Sequence, residues 1–502
     1  MDDNSSIIRS MKRYVLAIDQ GTTSSRAILF DKNAEMVDMA QKEIKLIFPK
    51  PGYVEVDALD IWLSVIDVIN ELFVKSNITF DDIDCIGITN QRETTVLFDK
   101  NGIPLSNAIV WQSRQSLDIC EEMKTHESFI YERTGLKLNP YFSASKIRYL
   151  LDKIPNGQTR AENGEILFGT IDTWLIYKMS MGEKHVTDAS NASRTLLYNI
   201  HTNEWDDELL TLFNIPKIML PIVLPSSGLF ATAKFFHVDT PICGVAGDQQ
   251  SSLFGHACFK KGEYKNTYGT GCFMLLNTGK DIIKSQNGLL STVAWKIGDE
   301  VTYALEGSVF VGGAAVSWLR DELKIIKTPD ETEEKARLAI KEDDVYFVPA
   351  FVGLGTPYWD DDVRGAFFGL TRDSDRNTII RATLESIAYQ CYDVIKTMEE
   401  EIDFEMGEVK VDGGASKNNY ILEFQAGLLN KTIKKPKTLE VTALGACYLA
   451  GLATGFFPSL QHILKLHSYE KIIEPNMDER VREKHLDGWH RAIKAAVAFK
   501  KA

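Results

Sequence analysis

Short polar clusters interrupt the apolar, β-forming stretches of this sequence, and four of them carry glycine. The first is Asp19-Gln-Gly-Thr-Thr-Ser-Ser-Arg26, set between the runs Tyr14–Ile18 and Ala27–Phe30. A glycine in such a turn admits φ > 0 and lets backbone N–H groups approach an anion. The hydroxyls of Thr22, Thr23, Ser24 and Ser25 add donors suited to phosphate oxygens. Asp19, at the end of a buried run, suits Mg²⁺, a hard cation that takes carboxylates, waters and substrate phosphates. Arg26 supplies positive charge for a phosphate tail. An ordinary hairpin with a polar turn would carry the same residues, so this stretch alone leaves both readings open. The other three turns are Gly247-Asp-Gln-Gln250 after Ile242–Ala246, Tyr268-Gly-Thr-Gly271 between two apolar runs, and Asp412-Gly-Gly-Ala-Ser416 after Glu408–Val411. A fifth cluster, Asn90-Gln-Arg-Glu93, ends the buried run Ile83–Thr89 without a glycine. Four glycine turns at strand ends, two with Asp beside Gly, point to a nucleotide site fed from both halves of the chain.

The elements that must position these turns are strands and amphipathic helices in mixture. After Asp57, read as an N-cap, the residues Ile61, Trp62, Val65, Ile66, Ile69, Leu72 and Phe73 form one helical stripe. A second long stripe runs through Ile380, Leu384, Ile387, Cys391, Val394, Ile395 and Met398. Residues 112–230 read as helix-rich and irregular, and 440–500 as helical. The segment from Gly262 repeats the strand, glycine–hydroxyl turn and strand of Tyr14–Phe30. That echo predicts two related halves with a boundary near 255–265. The expected division is a tail over 1–12, a first domain over 13–260 and a second over 261–502.

Composition bounds the partners. The 502 residues are 44% hydrophobic and 25% charged, as in a globular chain with a full core. A net charge of −14 argues against nucleic acid or an anionic membrane as the main partner. The weakly polar run Gly445–Pro458 is too short to span a bilayer, and Met1-Asp-Asp-Asn-Ser-Ser does not read as a secretory signal. The seven cysteines form no Cys-x-x-Cys pair and read as reduced core residues of a cytoplasmic protein. No His-Glu-x-x-His spacing occurs.

The sequence has no Gly-x4-Gly-Lys-Ser/Thr, no Gly-x-Gly-x-x-Gly and no protein-kinase words. A duplicated strand, glycine–hydroxyl turn and strand, with Asp19 ahead of the first turn and a late Asp-Gly-Gly turn, resembles the actin, hexokinase and Hsp70 superfamily. Within it the chain resembles the FGGY carbohydrate kinases from about residue 13 to 495, above all those acting on glycerol. The words are Asp19–Arg26, Gly87-Ile-Thr-Asn-Gln-Arg-Glu-Thr-Thr95, Ala108-Ile-Val-Trp-Gln112, Pro140-Tyr-Phe-Ser143, Gly247–Gln250, Asn266-Thr-Tyr-Gly-Thr-Gly-Cys-Phe273, Gly353-Leu-Gly-Thr-Pro-Tyr-Trp-Asp360, Arg364-Gly-Ala and Val411-Asp-Gly-Gly-Ala415. Tyr149 stands where the family usually has Trp, and Ser317 where its nucleotide pocket often has Gln.

The resemblance implies an α/β fold of two duplicated ribonuclease H-like (actin-like ATPase) domains with a catalytic cleft between them. It implies ATP-dependent phosphorylation of glycerol to sn-glycerol 3-phosphate, with ATP and Mg²⁺ bound and a homodimer or homotetramer as the assembly. In that reading Arg92 and Glu93 bond the glycerol hydroxyls, which both donate and accept. Tyr141 adds a phenol, and Trp111 and Phe273 wall the carbon chain. Asp248 is the general base and Gln249 orients the substrate. Thr22, Thr23, Ser24 and Arg26 meet phosphate, Thr270 and Gly313 the β- and γ-phosphates, and Gly414, Asn418 and Ser317 line the nucleotide pocket, with Asp19 toward the metal. Another FGGY polyol or pentulose kinase, or a non-catalytic nucleotide switch of the superfamily, are the competing readings. The segment Ala233-Lys-Phe-Phe-His-Val-Asp-Thr240 lacks the Gly-Gly-Thr-Arg loop of some bacterial members, which implies insensitivity to fructose 1,6-bisphosphate.

Overall fold

The computed structural model describes residues 12–235, 239–339, 344–360 and 362–500. The 1–12 tail except Lys12, and part of the Ala233–Thr240 segment, lie outside the described residues. The chain divides into two compact units. Unit 1 comprises 1–257, 292–302 and 441–466, and unit 2 the remainder.

In unit 1 the strands β1 (Tyr14–Gln20), β2 (Ser24–Phe30) and β3 (Met36–Glu43) form an antiparallel meander. Alternating and continuous apolar residues such as Leu16, Ile18, Ala27 and Leu29 are fully buried, so the first two strands are covered on both faces. Helix α1 (Ala58–Ser76) starts where Asp57 accepts the Leu59 N–H, and ends at Asn77 in the left-handed region. Its buried stripe is Ile61, Trp62, Val65, Val68, Ile69 and Leu72; Ile66 and Phe73 are only half-buried. β4 (Ile83–Asn90) then lies parallel to β1. After helix α2 (Ser143–Lys153) come β5 (Ser227–Ala233), β6 (Thr240–Gly247) and helix α3 (Asp248–Gly255). β6 pairs parallel with β4, giving the order β5-β6-β4-β1-β2-β3.

Unit 2 repeats this plan. β7 (Tyr264–Tyr268), β8 (Cys272–Gly279) and β9 (Glu300–Val309) form the antiparallel meander. Helices α4 (Gly313–Asp321) and α5 (Arg376–Glu400) follow. β10 (Val409–Asp412) then pairs parallel with β7. Beyond helix α6 (Asn419–Leu429), β11 (Ile433–Pro436) pairs parallel with β10. Orders β3-β2-β1-β4-β6 and β9-β8-β7-β10-β11 match in sequence and sense, so the duplicated α/β plan expected from the two hairpin words is present. The whole expected stripe of α5, from Ile380 to Met398, is buried.

The units differ from the expected 13–260 and 261–502 division in three segments, the first being 258–260, which fall in unit 2. Residues 292–302 return to unit 1, and so does helix α7 (Val441–Thr454). α7 packs on β4, β6 and α3 at distances only glycine permits. A Cβ on Gly87 would stand 2.3 Å from the Ala446 carbonyl oxygen, and one on Gly445 1.8 Å from that of Ser251. Such contacts join residues hundreds of positions apart and leave no periodic trace. All seven cysteines are buried and unpaired, as expected.

Candidate active site

Three parallel strands of unit 1 end on one level. Gln20 of β1 lies opposite Asn90 of β4, and Asn90 opposite Gly247 of β6. The three polar clusters therefore leave from one edge of the sheet, at the carboxyl ends of its strands, where α/β sheets place ligands.

The cluster after β4 is a buried charge network. Glu93 sits at φ 60, a left-handed conformation that a non-glycine residue adopts at a cost of roughly 1–3 kcal/mol. Its carbonyl accepts the Ser143 hydroxyl at 3.0 Å. Its carboxylate Oε1 accepts Arg194 Nε at 2.8 Å and lies 3.8 Å from Arg92 Nε. Arg92 Nε also stands 3.3 Å from Asp248 Oδ1, and its Nη1 donates to Gln250 Oε1 at 3.2 Å. Two guanidinium groups thus face two carboxylates in a region where unpaired charge is prohibitive. Exposure divides this set: the side chains of Arg92, Glu93 and Arg194 are 2%, 1% and 0% exposed, and that of Asp248 is 30% exposed. Asp248 is the member that a solute can reach. Gly247 is required beside it, since a Cβ there would lie 2.7 Å from Arg92 Cγ. Asp248 opens α3 and accepts its neighbour's Gln249 N–H at 2.7 Å; Gln249 itself is buried.

Tyr141 and Trp111 are half-buried and meet edge to face, ring centroids 5.3 Å apart. Lys146 fixes the Tyr141 loop from below. Its fully buried Nζ donates to the carbonyls of Pro140 at 2.7 Å, Phe142 at 3.2 Å and Tyr141. Burial pushes this ammonium down to about 7, with Glu93 pulling the other way.

The turn after β1 places Thr22 and Ser24 half-buried and Thr23 exposed. Thr22 Oγ1 accepts the Trp111 indole N–H at 2.8 Å. Asp19 is 8% exposed and lies 3.4 Å from Arg26 Nη1, while Arg26 Nε donates to Gln41. Arg26 is therefore engaged with Asp19 and Gln41 as well as placed beside the turn. Ser25 does not belong to the turn. It is fully buried and its Oγ bonds Ser64 Oγ of α1 at 2.9 Å, because strand alternation turns it toward the helix.

In unit 2 the remaining candidates lie in turns next to strands and at or near the starts of helices α4 and α6. Exposed Thr270 lies in the β7–β8 turn, and its carbonyl accepts the N–H groups of Gly312 and Ala314. Gly313, first residue of α4, donates to the Gly269 carbonyl at 2.9 Å. Ser317 is half-buried on α4. Gly414, exposed, follows β10, whose Asp412 pairs with Thr267 of β7. Asn418 caps α6 by accepting the Ile421 N–H. Phe273 lies on β8 in this unit, half-buried, whereas Trp111 and Tyr141 lie in unit 1.

Arg194, Lys146, Gln91 and Thr94 carry parts of the unit 1 site without having been singled out. Arg194 sits in Ser190-Asn-Ala-Ser-Arg-Thr195, which has no spacing signal of its own.

Family models describe the same architecture. The N-terminal domain of the FGGY family of carbohydrate kinases matches residues 14–255, and its C-terminal domain residues 264–454. The chain belongs to the FGGY family of carbohydrate kinases. A glycerol kinase of Geobacillus sp. (strain WCH70) is 53% identical over 496 residues, covering 98% of this chain and all of the relative. The crystal structure of Plasmodium falciparum glycerol kinase with ADP aligns at TM-score 0.90 and 36% identity, covering 96% of this chain and 98% of that one. A xylulose kinase structure from Lactobacillus acidophilus aligns at TM-score 0.86 and 25% identity, covering 97% and 99%. This FGGY kinase thus shares its fold with enzymes named for different acceptors, and the acceptor must be argued from the side chains at the strand ends.

Proposed function

We propose that this FGGY kinase transfers the γ-phosphoryl group of ATP to a terminal hydroxyl of glycerol, giving ADP and sn-glycerol 3-phosphate. The observation that carries the reading is the graded exposure of one charge network, with Arg92 and Glu93 buried and Asp248 open. A small polyol has hydroxyls that both donate and accept, which suits a guanidinium and a carboxylate held side by side. The full-length likeness to glycerol kinases supports the same acceptor.

In this mechanism Arg92, Glu93 and Gln249 seat the polyol against Trp111 and Tyr141. Asp248 accepts the proton of the terminal hydroxyl as that oxygen bonds to the γ-phosphorus. The bond from the γ-phosphorus to the β,γ-bridging oxygen breaks, and its electron pair leaves with ADP. Positioning and charge neutralisation dominate such a transfer. Thr22, Thr23, Ser24 and Arg26 act on the phosphate side from unit 1. Thr270, Gly313, Ser317, Gly414 and Asn418 of unit 2 hold the nucleotide. The 13–260 region thus serves acceptor and phosphate, and 261–502 the nucleotide.

Asp19 fits Mg²⁺: one nearly buried carboxylate beside a phosphate turn matches a cation that leaves its other positions to water and phosphates. When bound, the ion would neutralise phosphate charge; Asp19 would hold it, and Arg26 would balance Asp19 in its absence.

The proposal includes a cytoplasmic homo-oligomer. No helix among the described residues is long and apolar enough to cross a membrane. Light scattering of the purified chain and fractionation of cells test those two points. The central test is ADP release with glycerol, with D-xylulose and with neither. Glycerol-dependent release with kcat/KM well above that on the pentulose is expected. Preference for the pentulose would overturn the acceptor.

A further inference from the structure

The polyol wall and the phosphate turn are bonded to each other twice. The direct route is the Trp111 indole N–H donated to Thr22 Oγ1 at 2.8 Å. The second starts at the Trp111 main chain, whose N–H donates to Thr94 Oγ1 at 3.3 Å. Thr94 donates its hydroxyl to Gln91 Oε1 at 2.8 Å. The Gln91 amide then donates to Gln20 Oε1 and to the Gly21 carbonyl, both at 3.1 Å. Thr94 and Gln91 are 0% and 1% exposed, so this relay is shielded from water.

A hydroxyl has one proton to give. An indole N–H donates and does not accept. Thr22 must therefore receive at its oxygen from Trp111, and its own proton is left for another acceptor. Several main-chain groups of the turn are engaged elsewhere: Gly21 N–H on the Ser24 carbonyl, the Gly21 carbonyl on Gln91 and the Thr23 carbonyl on Ile44 N–H. An anion at the turn would accept the Thr22 proton.

We propose that Trp111 and Thr22 are a positioning pair that makes glycerol and ATP bind each other's enzyme form more tightly. This rests on the glycerol kinase reading of the site and adds to it a coupling between its two halves of chemistry. Glycerol packed on the indole favours the ring orientation that bonds Thr22. That bond favours the hydroxyl rotamer that faces phosphate. A ligand shifts such an equilibrium only by its differential affinity for the two arrangements, and the effect is reciprocal.

The test measures affinity of the full chain for a non-hydrolysable ATP analogue, with and without saturating glycerol, in wild type, Trp111→Phe, Thr22→Val and the double variant. Trp111→Phe keeps a ring wall and removes the N–H. Thr22→Val removes a phosphate donor as well, so analogue affinity alone is expected to fall; the ratio with and without glycerol isolates the coupling. Glycerol should tighten the analogue in wild type. Each single variant should cut that ratio about 2- to 12-fold, the worth of one neutral hydrogen bond, and the double variant no further. A wild-type ratio of one, singles that keep the wild-type ratio, or a double loss equal to the product of the singles would overturn the pair. Should Trp111→Phe fail to give a native circular dichroism spectrum, Thr22→Val, altered at a half-buried turn, decides alone. Wild-type enzyme that turns over no glycerol would instead bring down the acceptor reading itself.

Discussion

Both turns carry main-chain bonds, Gly21 N–H to the Ser24 carbonyl and Gly269 N–H to that of Gly271. The turn after β1 is also held through side chains, and its counterpart after β7 through the main chain of a following helix. In unit 1, Trp111 bonds Thr22, and Gln91 of the neighbouring polar cluster bonds Gly21. In unit 2, the Gly269 and Thr270 carbonyls receive N–H groups from Gly312, Gly313 and Ala314, where α4 begins. Topology is the same, yet the sensitivities differ. A side-chain-held turn responds to what occupies the neighbouring cluster. A backbone-held turn is a rigid seat, and glycine makes it possible: a Cβ on Gly271 would stand 2.4 Å from the Val309 carbonyl oxygen. In the proposed function both turns of the duplicated plan meet anion, and among the described residues the β1 turn is the one bonded to Trp111 and Gln91.

The largest expected effect breaks the chemistry in unit 1. Asp248→Asn keeps an oxygen for Arg92 and for the Gln249 N–H but cannot take a proton. We expect kcat on glycerol to fall about 10²–10⁴-fold, with KM much less changed. If Asp248 served only the start of α3, Asn would do nearly as well and kcat would survive. Folded variant protein with more than about a tenth of wild-type kcat would remove Asp248 as the base.

Next is the buried half of the same network. Arg92→Ala leaves Glu93 bonded to Arg194 but removes the cation facing Asp248. A lost hydrogen bond to a charged group is worth about 1.5–3 kcal/mol, so glycerol KM should rise roughly ten- to a hundred-fold. Affinity for ADP, assigned to unit 2, should stay near wild type. Steady-state kinetics with an unchanged glycerol KM would exclude Arg92 as a substrate ligand.

Much of this arrangement was legible in the sequence, and the limits have a physical pattern. Local rules found the Asp57 cap, the α5 stripe and the four glycine turns, because each is written within a few residues. The pairing of the two halves showed in the hairpin words. Ser25, counted among the turn hydroxyls, instead bonds Ser64. Arg194, Lys146 and the return of α7 to unit 1 were not legible, because they depend on contacts between distant segments. Gly87 and Gly445 read as ordinary small residues until α7 is seen against β4 and α3.

A third, smaller effect sharpens the contrast between the turns themselves. Gly271→Ala pushes a methyl into fixed backbone, for which overpacking costs about 1–3 kcal/mol. At Gly21 the nearest atom to a built Cβ is the Ser24 carbonyl oxygen at 3.3 Å, which a small shift relieves. Urea unfolding should therefore show Gly271→Ala clearly less stable than Gly21→Ala. Equal losses would mean that the two turns are supported alike.

The smallest effect concerns charge that unit 2 keeps in its helices. His490, on the helix Glu479–Phe499, bonds Asp393 Oδ1 of α5 at 3.0 Å, while Asp393 Oδ2 accepts from Trp489 and Tyr358. The bond to Asp393 raises the imidazole above its usual value, burial opposing it; Lys494 opposes it too, and Asp487 assists. A pKa raised on folding means that the folded state holds the proton more tightly. The contribution is therefore fully present below the unfolded value near 6.5 and is lost as pH climbs through the folded one. His490 is nearly half exposed, so solvent screening keeps the effect small, on the order of 1–2 °C in melting temperature. His490→Gln should melt slightly below wild type at pH 6 and indistinguishably from it well above the folded value. Lys146 in unit 1 carries the opposite sign: burial lowers it, so folding sheds its proton and stability gains as pH rises from about 7 toward its unfolded value. Melting curves of wild type and His490→Gln from pH 6 upward separate the two. A difference that grows with pH would show that His490 does not act through its charge on Asp393.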